Sequence, residues 1–136
     1  MGDDVAMLAR ILLVLISAAA IAWLAIWLNR VDAYQHARRE AIAKGAAQDP
    51  ARVRHVTDLF ESARDLTPDT TPILGEGVFL IEAGQNQRAA RVLNEVLRRE
   101  PRNVSAWGLL AAADPARAAE ARAHVGELNP FALQAR

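Results

Sequence analysis

The sequence predicts an all-α protein: a single N-terminal transmembrane helix followed by a short array of about three helical pairs. Three observations carry this. Residues 11–28 contain no charged side chain. Beyond them, apolar residues recur at helical spacing between prolines, and no alternating β-branched stretch suggests a strand. Finally, the 52% hydrophobic share comes with only 5% aromatics, so alanine and leucine supply most of it, as in helical chains.

The same arithmetic excludes several classes of function. The 136 residues suffice for one domain, or for a small domain plus an anchor. With 16 basic against 16 acidic side chains there is no surplus to neutralise phosphates, so no nucleic-acid partner is expected. The absence of cysteine removes disulfides, thiol nucleophiles and Cys-ligated zinc or iron–sulfur centres.

The first element is the run ILLVLISAAAIAWLAIWL at 11–28. At 1.5 Å rise per residue it spans about 27 Å, close to the hydrocarbon thickness of a bilayer. It is apolar all round, whereas a surface helix would keep a polar face. Trp23 and Trp27 lie one turn apart near its end, ahead of Asn29 and Arg30, and form a membrane-interface belt with a polar exit. The competing reading is a cleaved signal peptide, with Ser17-Ala18-Ala19-Ala20 as a small-residue cleavage site. Against it, the apolar run continues to Leu28, and Asp3 and Asp4 stand where a signal needs positive charge. Ala18, Ala22 and Ala25 share one face at i, i+4 and i+7, which lets another helix pack closely or simply faces lipid. Arg10 is offset by Asp3 and Asp4, while Arg30, Arg38, Arg39 and Lys44 follow the run. That balance favours the cytoplasm for the C-terminal part of a single-pass protein of a bacterial inner membrane, with an exported helical domain as the alternative.

The remaining elements follow in order. Residues 31–47 lack proline and extend the first helix into water. Asp49-Pro50 caps and starts the next, at 51–66, with Val53, Val56, Leu59, Phe60 and Ala63 on its buried side. Thr67-Pro68-Asp69 ends it. Helices at 72–83 and 87–99 are separated by Gly84-Gln85-Asn86, the second burying Ala90, Leu93, Val96 and Leu97. A last pair, 104–113 and 115–128, is divided by Asp114 and closed by Asn129-Pro130. The domain plan is therefore an anchor at 1–30, a juxtamembrane helix at 31–50, a helical domain at 51–130 and a tail at 131–136.

Self-comparison at a spacing of 34 sets Ile73 opposite Trp107 and Gly77 opposite Ala111. Pro101 follows Leu93 as Pro68 follows Phe60. In the block 70–103, Ile73, Glu76, Gly77, Leu80, Gly84, Ala89, Leu93, Val96 and Pro101 fall at positions where the chain resembles the tetratricopeptide repeat family. The resemblance implies a close helix crossing at Gly77 and Ala89 and turns at Gly84 and Pro101. Trp107, Leu110 and Ala111 look like the opening of a second repeat. The last pair is short of a full period, and Arg122 stands where a bulky apolar group is usual. The first unit, 37–69, has Glu40 where an aromatic is typical. One clear repeat with two degenerate flanking units suits a short solenoid, whose ends must be polar.

No catalytic constellation assembles. His36, His55 and His124 lack metal-ligand spacing and read as surface histidines. Gly75-Glu76-Gly77 sits within a helix pattern and reads as close packing, not as a phosphate cradle. Glu95 with Arg91, Arg98 and Arg99 reads as a solvated ion-paired face. No cofactor, metal or small-molecule substrate is expected. By the family resemblance, Thr71, Leu74, Val78 and Ile81 of the clear repeat, with Ser105, Gly108 and Ala112 of the next, line a concave groove for a protein segment. Leu74 and Val78 replace the polar residues with which that family clamps a terminal carboxylate, so that mode is not expected. The alternative is that Leu74, Val78 and Ile81 only pack around Trp107. The function expected is that of a non-catalytic membrane adaptor or assembly factor for an integral membrane partner or complex. A structural accessory subunit held mainly by its membrane helix is the alternative.

Overall fold

The computed structural model describes residues 2–65 and 69–131. The helix end expected at Leu66, the terminator Pro68 and most of the tail, 132–136, lie outside the described residues. The described residues are all-helical, with no strand among them. The elements are α1, Gly2–Ala41; α2, Pro50–Asp65; α3, Thr71–Glu82; α4, Asn86–Arg99; α5, Val104–Ala113; a 3-10 turn, Pro115–Arg117; and α6, Ala118–Leu128. The chain divides into two compact units, Met1–Asp32 and Ala33–Arg136.

The first unit consists of most of α1. Side chains 11–28 are all exposed. The hydroxyl in that run, Ser17, donates to the carbonyl of Leu13 at 2.9 Å, so the helix satisfies it internally. Arg10–Ala41 is long and apolar enough to cross a membrane, by length and composition; a signal sequence near an N-terminus passes the same test.

The second unit begins with the last turns of α1. These end at Ala41, short of the expected residue 47, because the chain turns through 42–48 with Gly45 at φ +80°, a conformation open to glycine. The turn is not wasted, since Ala46 is buried. Asp49 starts α2 by accepting from the Ala51 amide at 2.9 Å. One apolar cluster then gathers Ala37 of α1, Ala46, Val53, Val56 and Phe60 of α2, and Phe79 of α3. Tyr34 leans on it, its ring 6.4 Å from that of Phe60. The end of α1 thus contributes Ala37 and Tyr34 to the cluster around Phe60.

A second cluster joins α3 to α6 through Ile73, Leu80, Leu93, Val96, Leu110 and Ala121, with Trp107 at its edge. The glycines of α3 explain its approach to two neighbours. A Cβ on Gly75 would lie 2.9 Å from the Phe60 ring, and one on Gly77 would lie 2.9 Å from Leu93 Cδ2. At the α3–α4 crossing Gly77 thus meets Leu93, and Ala89, expected at the same crossing, is fully buried. Gly84, at φ +70°, closes the turn to α4, where the Gln85 amide reaches the Leu80 carbonyl at 2.8 Å. Consecutive helices pack in sequence from α2 to α6, and α3 also touches α5. Arg117 ties the last pair down: it donates to Asn94 of α4 at 2.9 Å and makes two 3.0 Å bonds to Glu120.

Candidate functional site

The starts of α3 and α5 are each marked by a short polar side chain. Asp69, just ahead of Thr70 at the N-cap of α3, accepts from the Thr71 amide, and Asn103, the N-cap of α5, accepts from the Ala106 amide, each at 3.0 Å. Glu100 links them: Thr70 donates to one of its carboxylate oxygens and Asn103 to the other, each at 2.7 Å. Both bonds favour the ionised form and hold its carboxyl below the ordinary range. Trp107 is pinned from its polar edge, its indole N–H donating to the Pro101 carbonyl at 2.9 Å.

On this frame, Thr71, Leu74, Val78 and Ile81 run along one stripe of α3, and Ser105, Gly108 and Ala112 along one stripe of α5. Thr71, Ser105, Gly108 and Ala112 are exposed, and Val78 is 39% exposed. Nothing lies within 4 Å of where a Gly108 Cβ would stand, so that stripe is open. Leu74 and Ile81 are half-buried and lean on the cluster around Trp107. Val78 also lines a cleft of about 340 Å³ with Tyr34, Ile42, Phe60 and Phe79, where Arg38 and Glu82 supply the charge. Sequence reasoning missed Tyr34, Ile42 and Phe60 as members of this surface. The single tyrosine just past the apolar run was the available signal. A second, more polar cleft of about 600 Å³ lies between α4 and the α5–Pro115 turn, lined by Asn86, Arg91, Asn94 and Asp114.

Ala18, Ala22, Ala25, Trp23 and Trp27 are all exposed on α1. His124, expected as a plain surface residue, stacks on Trp107 with ring centroids 4.2 Å apart. Glu95 is not on a freely solvated face: it pairs with Arg99 at 2.6 Å and with Arg64 of α2 at 3.6 Å. Arg64 also faces Glu76 at 3.6 Å. The Glu76 side chain is only 2% exposed, and its Oε2 has no hydrogen-bond partner. Burial raises its carboxyl to about pH 7 against the opposing charges of Arg64 and Arg88, and Glu61 and Glu95 add to the rise. Among the described residues no group of three or more His, Asp or Glu side chains is placed to hold a metal ion. Comparison with protein-family models, characterised proteins and solved structures yields no match to this chain.

Proposed function

We propose that this chain is a non-catalytic single-pass membrane protein, anchored by residues 11–28 in a bacterial inner membrane. Its tetratricopeptide-like helical domain acts as an adaptor or assembly factor for a membrane complex. The observation that carries this reading is the open double stripe of α3 and α5. Thr71 and Val78 of α3 and Ser105, Gly108 and Ala112 of α5 are all exposed, on two helices that touch and whose starts are linked through Glu100. An array whose first helices touch one another, backed by second helices, presents such a face to an extended or helical segment. The uncharged, fully exposed run 11–28 supports anchoring, because its apolar side chains find no cover within the first unit.

The exposed face of Ala18, Ala22 and Ala25 favours a second reading, an accessory subunit held mainly by helix packing in the bilayer. Mild-detergent extraction from the native membrane, followed by mass spectrometry of what travels with the chain, tests the adaptor role. A reproducible integral membrane partner is the expected result, and a partner-free monomer contradicts it. Carbonate washing tests the anchor. The wild type should stay in the pellet with residues 11–28 intact. Ala19→Arg, costing about 2.5–3.5 kcal/mol at the centre of a span, should weaken its retention. Release of the wild type, or a new N-terminus near Ile21, contradicts anchoring.

A further inference from the structure

We infer that Glu76 is a proton-operated latch between α2 and α3: losing its proton frees α2 from α3 while α3 to α6 stay packed together.

The joint combines a dry contact with a titratable group. Gly75 lets the Phe60 ring of α2 come so near that a Cβ would lie 2.9 Å from it. One residue on, the Glu76 side chain is 2% exposed, and its Oε2 has no hydrogen-bond partner. Charged groups face it from the helices on either side: Glu61 and Arg64 of α2, Arg88 and Glu95 of α4. The third neighbour, α5, carries no charged residue. Arg64 is divided between two carboxylates, 3.6 Å from Glu76 and 3.6 Å from Glu95, and Glu95 is also bonded to Arg99 at 2.6 Å. An ionised Glu76 in the closed joint therefore has neither water nor a cation of its own. Burial outweighs the cations and keeps the carboxyl protonated up to about pH 7. Parting α2 from α3 hydrates it, so deprotonation favours the open form.

The division of the core makes the opening local. The cluster that joins α3 to α6 contains no residue of α2. Val53, Val56 and Phe60 of α2 belong to the other cluster, whose buried α3 member is Phe79. Among α3 to α6, α2 packs only on α3. Once released, its 16 residues are too few for a stable helix in water, so they unwind and their amides exchange.

Hydrogen exchange of the full-length protein in mild detergent, read by mass spectrometry and corrected for the intrinsic pH dependence of amide exchange, measures how often each helix opens. At every pH the α2 amides should exchange several-fold ahead of those of α5. The α2 opening should become roughly tenfold more frequent between pH 6 and pH 8, then level off. In Glu76→Gln it should be flat over the same range. Arg64→Gln gives a second test should that variant fail to fold. Without this cation the proton is held to higher pH, so the rise should continue at pH 9, where the wild type has levelled off. Equal exchange of α2 and α5 overturns a local opening. Early exchange of α2 without a pH slope shows that Glu76 stays dry in the open form and overturns the latch. A slope that persists in Glu76→Gln, or an Arg64→Gln profile that levels off with the wild type, assigns the effect to another group.

Discussion

A carboxylate that is 2% exposed, has one oxygen without a hydrogen bond and lies 3.6 Å from an arginine pays for its charge with lost hydration. Glu76 therefore stays protonated in the folded chain up to about pH 7, while in the unfolded chain it ionises near 4.5. Between those values the folded state binds the extra proton, so its contribution to stability is full below pH 4.5 and is lost as pH rises through 7, by about 3 kcal/mol. Glu76→Gln cannot titrate. It should match the wild type in thermal melts at pH 5 and exceed it by roughly 1–3 kcal/mol at pH 8. Equal pH slopes for the two proteins contradict the buried-carboxylate account. Only part of this residue was legible in sequence. Its place in a helical pattern was clear, but its partner Arg64 lies on another helix, and neither periodicity nor spacing reports a contact between helices. His124 on Trp107 and Leu93 in the notch of Gly77 escaped for the same reason.

Helices were easier to read, because each carries its own signals. The breaks at Asp49-Pro50, Gly84, Pro101 and Asp114 fall between the observed helices, since capping and turn chemistry are local. The end of α1 was misplaced: four alanines among residues 41–47 favour helix, yet the turn at Gly45, which buries Ala46 in the cluster with α2, interrupts it. The α3–α4 crossing offers a test of packing. Ala89 is fully buried and Ala119 is exposed. Ala89→Leu should overpack the crossing and cost about 1–3 kcal/mol, while Ala119→Leu should stay within about 0.5 kcal/mol of wild type in the same melts. Comparable losses from both substitutions contradict the assignment of these two faces.

For the molecule as a whole, the two proposed contact surfaces lie in different units: the α3–α5 stripe in one, the alanine face of α1 in the other. The stripe was legible as residues at helical spacing. The cleft beside it was not, because Tyr34, Ile42 and Phe60 reach Val78 only through tertiary folding. Each proposed contact rests on a few side chains, so a single substitution should separate them. Val78→Glu places a charge at the centre of the stripe, at a site exposed enough to leave the fold intact. Ala22→Leu fills the small-residue face of α1. The most direct test of the adaptor reading is the amount of partner co-purifying with each full-length variant after gentle extraction from its native membrane. The account predicts that Val78→Glu loses the partner several-fold while Ala22→Leu retains it. Loss with Ala22→Leu alone, or with neither, would contradict it.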